Sequence, residues 1–560
     1  MKHFIKYTYL LPVIFSGLST LYAQDKGSAE YSERISLFTD RGMYVSGEKV
    51  LFTACAFNPS HPDETAISKV LYCELITPDG SRIAGGKYPL EQSKCKGCME
   101  IPGETVSGIY YLKAYTRFMR NEGPAAYHFT KLVIINPVKS EVLPSSDNDT
   151  VIQHTGYENK ADTGGFFTLS TDKGIYSRRE KVLLSIADNF SHADSCRILC
   201  LSVVPELSAA DRIQPVSSTL PESDDVYFYP EIRGITLTGR LQEKSSGLPL
   251  PGKKVNLSII GDKDFMAMRT DSAGRFFFNL NGYSDNWDIF MCSEKVPGSD
   301  PVLLVDNDFC THQPDLPSPP LRLTEPEKRT ALDLAWNYQV SKHFRNDSMV
   351  DSVVEPVDRL SFYGNPTRVL LLDKYIELPT LEEYFNELPN EVKVRNAHNQ
   401  KYFRFFSTQT EMVIYDPLVL IDWVAVDDID LVLSLSPRDI SRIEMFNAPY
   451  LKGQIMYGGI ISFISNNNDF AGIDLPASGT FINYSFCNTC EEDLDELTGT
   501  DNLPDDRNTL YWDPEILINP TGRSAVSFTT PDTPGIYLIL LRGTDLKGNE
   551  YSSFARIEIM

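Results

Sequence analysis

The residues best able to do chemistry in this chain are its ten cysteines, and four of them fall in two Cys-x-x-Cys pairs. These are Cys95-Lys96-Gly97-Cys98 and Cys487-Asn488-Thr489-Cys490. That spacing serves three chemistries. Two such pairs can share a zinc ion. A pair at a helix N-terminus can run disulfide exchange. Cysteines of an exported chain can be oxidised to structural disulfides. The redox reading needs a helix, whereas Met99-Glu100-Ile101-Pro102 reads as strand and turn. The zinc reading needs both pairs in one place, and they fall in different expected domains. Structural disulfides therefore rank first, zinc second and redox catalysis last. Connectivity stays open, except that Cys196 and Cys200 cannot pair within one extended strand. Four residues span about 13 Å there, and a disulfide needs Cα atoms within about 7 Å.

Other catalytic patterns are missing from the sequence. It has no His-Glu-x-x-His, no Gly-x-Ser-x-Gly, no phosphate-binding loop, and no Gly-x-Gly-x-x-Gly after a strand. The acidic run Glu491-Glu492-Asp493-Leu494-Asp495-Glu496 lacks the ligand spacing of a helix–loop–helix calcium site and reads as a solvated loop. The expectation is therefore a non-enzyme with no catalytic residue, no metal and no cofactor. The net charge of −24 excludes nucleic acid as a partner, since phosphates need a basic face, and argues against anionic lipid.

The positioning elements are strands. The chain has 560 residues, enough for several domains, and its 28 Tyr and 30 Phe with 34 Gly and 35 Pro favour short strands and turns. Residues 1–23 read as a secretory signal: Lys2 and Lys6, an apolar run from Tyr9 to Leu18, then Leu21-Tyr22-Ala23. No cysteine follows the cleavage site, and no transmembrane segment is expected after cleavage. The mature chain is expected to be exported, in the periplasm or associated with the outer membrane.

An internal repeat organises the first half. Thr39-Asp40-Arg41-Gly42-Met43-Tyr44 with Gly47-Glu48-Lys49-Val50-Leu51 recurs 132 residues later as Thr171-Asp172-Lys173-Gly174-Ile175-Tyr176 with Arg179-Glu180-Lys181-Val182-Leu183. An offset of that size is a domain duplication. The motif resembles the opening of macroglobulin-type (MG2) domains. The resemblance implies two macroglobulin-like β-sandwiches, at 33–137 and 166–230, with a linker at 138–165. It also implies structural roles for the repeat: Tyr packs inward and Gly serves the turn. The reactive thioester tetrapeptide Cys-Gly-Glu-Gln of some macroglobulins is absent. Further on, Thr236 to Leu241 alternates, and Thr270-Asp271-Ser272-Ala273-Gly274 leads into Arg275-Phe276-Phe277-Phe278. This stretch resembles the carboxypeptidase regulatory-like (transthyretin-like) domain and implies a third β unit at 231–295. Residues 296–368 read as a Pro-rich linker and a helix capped by Thr324. Residues 466–507 read as an acidic loop, and 508–560 as a C-terminal macroglobulin-like β segment completed by earlier strands.

The least generic stretch is Met412 to Ser465. Leu418 to Ile421, Asp422 and the alternating Val424 and Val426 read as a buried strand. Ser436-Pro437 starts one or two helical turns, and two more strands follow, with a Tyr457-Gly458-Gly459 turn between them. A capping box at Thr380-Leu381-Glu382-Glu383 opens a helix to Leu388. Val419-Leu420-Ile421-Asp422, Ser436-Pro437-Arg438-Asp439-Ile440-Ser441-Arg442-Ile443-Glu444 and Tyr457-Gly458 resemble the plug domain of TonB-dependent outer-membrane receptors. The resemblance implies an α/β plug-like domain at 369–465. Fewer than a hundred residues follow Ser465, far short of the 22 strands of a plugged barrel. The expected architecture is mainly β: tandem immunoglobulin-like or macroglobulin-like sandwiches with a small α/β plug-like domain. The expected function is a non-enzymatic exported binding or assembly protein, accessory to an outer-membrane transport or secretion complex. Its partners would be proteins, an outer-membrane β-barrel among them. The alternative is a periplasmic or cell-surface scaffold or adhesin.

Overall fold

The computed structural model describes residues 31–62, 64–145, 166–189, 196–209, 227–294, 298–312, 314, 316–345, 361–397, 400–407, 409–473, 479–488, 490, 504–519 and 522–560. Of 211, 212, 344 and 345 it describes the backbone alone. The expected leader at 1–23, most of the linker at 138–165 and the acidic run at 491–496 lie outside these residues. Strands take up 47% of the chain and helices 12%, so it is mainly β, in tandem sandwiches.

The first sandwich packs a sheet of Arg34–Thr39, Lys49–Phe57 and Lys94–Glu100 against a larger one. The larger sheet runs in the order Asp211–Arg212, His128–Ile135, Gly108–Tyr115, Val70–Ile76, Arg82–Pro89, with Met43–Val45 joining His128–Ile135 in parallel. Val70–Ile76 is buried along its whole length, which is why it reads as a nearly unbroken apolar run. Its exception, Glu74, is paired with Lys113 at 2.7 Å and accepts a hydrogen bond from Tyr115 at 2.8 Å. The apolar core continues from this sandwich into Leu237, Leu257, Phe276 and Met291 of the third unit.

The second sandwich draws its strands from two distant parts of the chain. One sheet has the order Ile175–Tyr176, Glu550–Ile559, Gly535–Asp545, Cys196–Pro205, Tyr511–Asp513. The other has Arg523–Thr529, Lys181–Asp188, Phe167–Thr171. Cys196–Pro205 pairs antiparallel with Gly535–Asp545 from Cys196↔Asp545 to Pro205↔Tyr537. The stretch between Cys196–Pro205 and Tyr511–Asp513, the next strand of this sandwich along the chain, is thus an insertion in it.

The third unit sets Arg275–Leu280, Ile235–Glu243 and Pro301–Val305 against Phe265–Arg269, Lys254–Ile259, Asn286–Ser293 and Thr480–Ser485. Two of these strands correct the sequence reading. Pro301–Val305 lies in the stretch read as a Pro-rich linker, and Thr480–Ser485 in the stretch read as a loop. Each is an edge strand, and Pro301 takes the first position, where a missing N–H breaks no ladder. The helix Glu325–Arg345 is opened by the predicted cap, with Thr324 Oγ1 donating to Glu327 Oε2 at 2.7 Å. It lays Ala331, Leu334 and Ala335 on Met43, Val45 and Val133 of the first sandwich.

The α/β unit is a five-stranded sheet in the order Arg368–Leu371, Ile440–Phe446, Ile460–Ser465, Leu418–Ile421, Val424–Ala425. The helices Leu381–Glu387, Thr410–Ile414 and Ile429–Leu433 accompany it, with a hairpin of Val392–Ala397 and Gln400–Phe405. The single strand expected over Leu418 to Val426 is corrected to a tight hairpin, with Ile421 opposite Val424. Its turn residues Asp422 and Trp423 have φ of 45° and 64°. Two-residue hairpin turns of this kind need positive φ at both positions and usually take Asn or Gly there, so the sequence carries no turn signal. The Asp422 carboxylate offsets the strain. It accepts from Ser465 N at 2.8 Å, Ser465 Oγ at 2.6 Å and Phe470 N at 2.9 Å.

Candidate functional site

The duplicated motif builds the same turn twice. Tyr44 donates to Asp40 Oδ1 at 2.6 Å, and Tyr176 to Asp172 Oδ1 at 2.7 Å. The same aspartate oxygen accepts from Leu51 N in one copy and Leu183 N in the other, at 3.1 and 2.9 Å. Glu48 accepts from Val45 N at 2.6 Å and Glu180 from Ser177 N at 2.8 Å. Both tyrosines are buried. The left-handed position is Gly47, φ 92°, in the first copy and Arg179, φ 56°, in the second. The copies differ in surroundings. Around the first, Thr509 Oγ1 donates to Asp40 Oδ2 at 2.5 Å and Asn508 Nδ2 to Glu48 Oε1 at 2.7 Å, while Arg41 pairs with Glu48 at 2.9 Å. The first turn is therefore a buried joint between the two sandwiches, and the second copy's Lys173–Glu180 pair lies on the surface.

The two Cys-x-x-Cys pairs, expected to stay apart in separate domains, meet. Cys98 and Cys490 form a disulfide with Cα atoms 5.6 Å apart. This fastens the segment after Thr480–Ser485 to the first sandwich. Asn488 N donates to Lys87 O at 2.7 Å beside it. Lys87 is buried: its ammonium pairs with Asp308, donates to Ser485 O at 2.7 Å and sits 3.9 Å from the Tyr484 ring centre. Tyr484 donates to Asp308 Oδ2 at 2.6 Å. Close by, Glu231 is buried, accepting from Thr236 N at 2.7 Å and Tyr72 Oη at 3.0 Å, with Arg117 at 4.0 Å. Burial outweighs Arg117 and these hydrogen bonds and lifts the Glu231 carboxyl to about 7.

Cys196 and Cys200 share one strand and are not bonded to each other, as the geometry of a strand requires; both are thiols. Burial raises the thiols of Cys55 and Cys292 to about 12 and those of Cys200 and Cys487 to about 11. Thiols held protonated in this way are poor nucleophiles. Among the described residues no group of three or more His, Cys, Asp or Glu side chains comes together as a metal set.

The α/β unit is seated on the third unit through one face of its sheet. Leu418, Leu420, Ala425, Ile455, Tyr457 and Ile460 pack with Phe265 and Ala267. Polar bonds fix the register. Lys254 Nζ meets Asp427 Oδ1 at 2.5 Å, and Asn256 Nδ2 donates to Asp427 Oδ2 at 3.0 Å. Ala425 N donates to Ser258 Oγ at 3.1 Å, and Lys452 pairs with Asp264 at 2.6 Å. Burial works against the Lys254 ammonium, but Asp427 more than offsets it and its pKa stands above the usual lysine value. The other face of the sheet lies under the helices and the hairpin, with Ile443, Ile461 and Phe463 against Phe385 and Phe403. Sequence reasoning missed this seat. Its one local trace is the doublet Asp427-Asp428, in which Asp427 makes the seat and Asp428 caps the helix Ile429–Leu433 by accepting from Leu431 N.

No family model and no curated protein matches the sequence. Among solved structures the chain is similar to Escherichia coli alpha-2-macroglobulin activated by porcine elastase, at 10% identity, covering 94% of this chain and 44% of that one with a TM-score of 0.24. Salmonella alpha-2-macroglobulin reacted with methylamine is similar at 9% identity, covering 94% and 39%, with a TM-score of 0.24. The Escherichia coli adhesin FdeC is similar at 12% identity, covering 49% and 65%, with a TM-score of 0.16. The chain spans less than half the length of those macroglobulin chains. At such TM-scores the likeness assigns neither fold nor function.

Proposed function

We propose that this chain is a non-enzymatic binding and assembly protein of the cell envelope, in which a stiff β array presents the α/β unit to a protein partner. The observation that carries the reading is the seat. The α/β unit is fixed by packing and by the Lys254–Asp427 pair, and it turns Ile376, Phe406, Val413 and Ile414 to solvent. The finer reading is an accessory to an outer-membrane transport or secretion complex, with a β-barrel as the partner of the α/β unit. It rests on the motifs that resemble receptor plugs. A scaffold or adhesin role is the second reading, and one observation favours it: both faces of the α/β sheet are already covered within the chain.

The test is site-specific photocrosslinking in the native envelope from Ile376 and Ile414, with Leu248 of the third unit as the control position. A β-barrel protein captured from the first two positions and not from Leu248 supports the transport-accessory reading. Capture of no barrel from any position, with the protein in the soluble periplasmic fraction, overturns it and leaves the scaffold.

A further inference from the structure

The hairpin of the α/β unit carries charge of the opposite sign to the rest of the protein. Residues 392–405 hold Lys393, Arg395, Lys401 and Arg404 and no Asp or Glu, in a chain of net charge −24. The pleat sorts these side chains. Val392, Val394, Phe403 and Phe405 alternate with Lys393, Arg395 and Arg404 and pack inward, while Lys401 falls on the inward-facing parity and pairs with Glu382 at 2.8 Å; the register sets Lys393 opposite Arg404 and Arg395 opposite Tyr402. Like charges directly opposite each other in a sheet repel. Local contacts hold the three outward cations in place. Lys393 donates to Phe385 O and Asn386 O at 3.1 and 2.6 Å, at the C-terminal end of the helix Leu381–Glu387. Arg404 donates to Val413 O and lies 3.5 Å from Asp416. Arg395 stacks on Phe406, 5.5 Å from its ring centre.

An apolar strip adjoins the cations. Phe406 is 48% exposed, Val413 55% and Ile414 63%. Arg404 connects the two parts, because it donates to the helix Thr410–Ile414 that carries Val413 and Ile414. Ordered cations beside exposed aromatic and aliphatic side chains match a ligand with carboxylates and apolar side chains on one strip.

We infer that this outward face of the hairpin, Lys393, Arg395 and Arg404 with Phe406, Val413 and Ile414, docks an acidic segment of a protein partner that carries apolar side chains between its carboxylates. The inference rests on the binding function proposed above and names the surface and the partner's chemistry. Charge complementarity selects a protein segment over a lipid surface, because the body behind the hairpin is strongly acidic and an extended anionic membrane repels it.

The test uses the full chain and a fluorescent peptide, Glu-Glu-Asp-Leu-Asp-Glu-Leu, beside a version with Lys at every acidic position. The chain is expected to bind the acidic peptide at least about tenfold more tightly than the basic one, with weakening as salt rises. Arg395→Glu, at an exposed position where the native side chain stacks on the Phe406 ring, and Ile414→Ser are each expected to weaken that binding by about tenfold without shifting the unfolding midpoint. Equal binding of the two peptides, or binding indifferent to both substitutions, overturns the inference. Binding to phosphatidylglycerol vesicles that is sensitive to Arg395→Glu, with no peptide binding, overturns it in favour of a membrane. The crosslinking from Ile376 separates this from the wider reading. A partner still captured there by the Arg395→Glu protein keeps the binding function and removes this surface.

Discussion

Glu231 makes the junction between the first sandwich and the third unit sensitive to pH. Its carboxyl is buried and titrates near 7 in the folded protein, against about 4.3 for a free glutamate. A raised pKa means that the folded state binds the proton more tightly than the unfolded state. The stability it contributes is complete below about pH 4 and is lost as pH rises through about 7. A shift of roughly 2.5 units at about 1.4 kcal/mol per unit makes the loss about 3–4 kcal/mol. Glu231→Gln keeps the pattern of the protonated acid, since its amide oxygen can accept from Thr236 N and its NH2 can donate to Tyr72 Oη. The variant and the native protein are therefore expected to be equally stable near pH 4.5, and the variant more stable by about 3–4 kcal/mol at pH 8. Cys310 is a buried thiol beside this junction, its backbone N–H donating to Tyr115 Oη at 2.7 Å. Pulsed labelling of the Cys310 thiol across a urea series at each pH reads the opening midpoint at this junction. A gap between the two proteins that stays constant from pH 4.5 to 8 would refute the argument. So would a gap that closes as pH rises, because Arg117 would then be holding the carboxylate ionised.

Four further outcomes follow from the geometry. Asp40→Ala removes a buried acceptor shared by Tyr44, Leu51 N and Thr509, and is expected to cost about 3 kcal/mol in urea unfolding, with a clearly smaller cost for Asp172→Ala in the exposed copy. Equal costs would mean that the joint adds nothing to the turn. Asp427→Ala leaves Lys254 and Asn256 without their partner and is expected to cost about 2 kcal/mol, read as faster hydrogen exchange over Leu418–Ala425 with the second sandwich unchanged. Gly458→Ala would set a Cβ 2.1 Å from Tyr415 O, so it is expected to destabilise the α/β unit by at least about 3 kcal/mol in the same exchange measurement. Reduction of Cys98–Cys490 is expected to raise exchange in Thr480–Ser485 and around Lys87 and to leave Cys196–Pro205 protected. Loss of protection in all three would place the disulfide under the whole fold.

Local physics made most elements legible. The caps at Thr324, Thr380 and Ser436 each mark a helical start, because a side-chain oxygen there accepts a free amide and that need is written in two or three adjacent residues. The repeat was legible because its aspartate, tyrosine and glutamate satisfy one another within a few residues, so the pattern survives a change of surroundings. Three things carried no local signature. The Asp422-Trp423 turn holds two non-glycine residues in the left-handed region and is stabilised by Ser465, far along the chain. The edge strands Pro301–Val305 and Thr480–Ser485 lean on one neighbour each and bury few of their residues fully, which weakens their hydrophobic pattern. The seat depends on Lys254 meeting Asp427, two charged residues that separately read as surface.

The pairing of Cys196–Pro205 with Gly535–Asp545 has a consequence for how the α/β unit can work. The third unit is inserted in the second sandwich, and the α/β unit is inserted in the third unit, between Pro301–Val305 and Thr480–Ser485. Each insertion is closed by strand pairing on both sides, and Cys98–Cys490 closes the outermost return again. A module tethered at one end by a flexible linker can swing into a cavity and out again. A module with one sheet face packed on Phe265 and Ala267 and the other under its own helices must shed that packing to move. Uncovering two aromatic or aliphatic side chains alone costs about 3–6 kcal/mol, before the Lys254–Asp427 pair is broken. A binding function for this unit therefore acts through the surface it already shows, the hairpin and the strip of Phe406, Val413 and Ile414, with the partner coming to a fixed α/β unit.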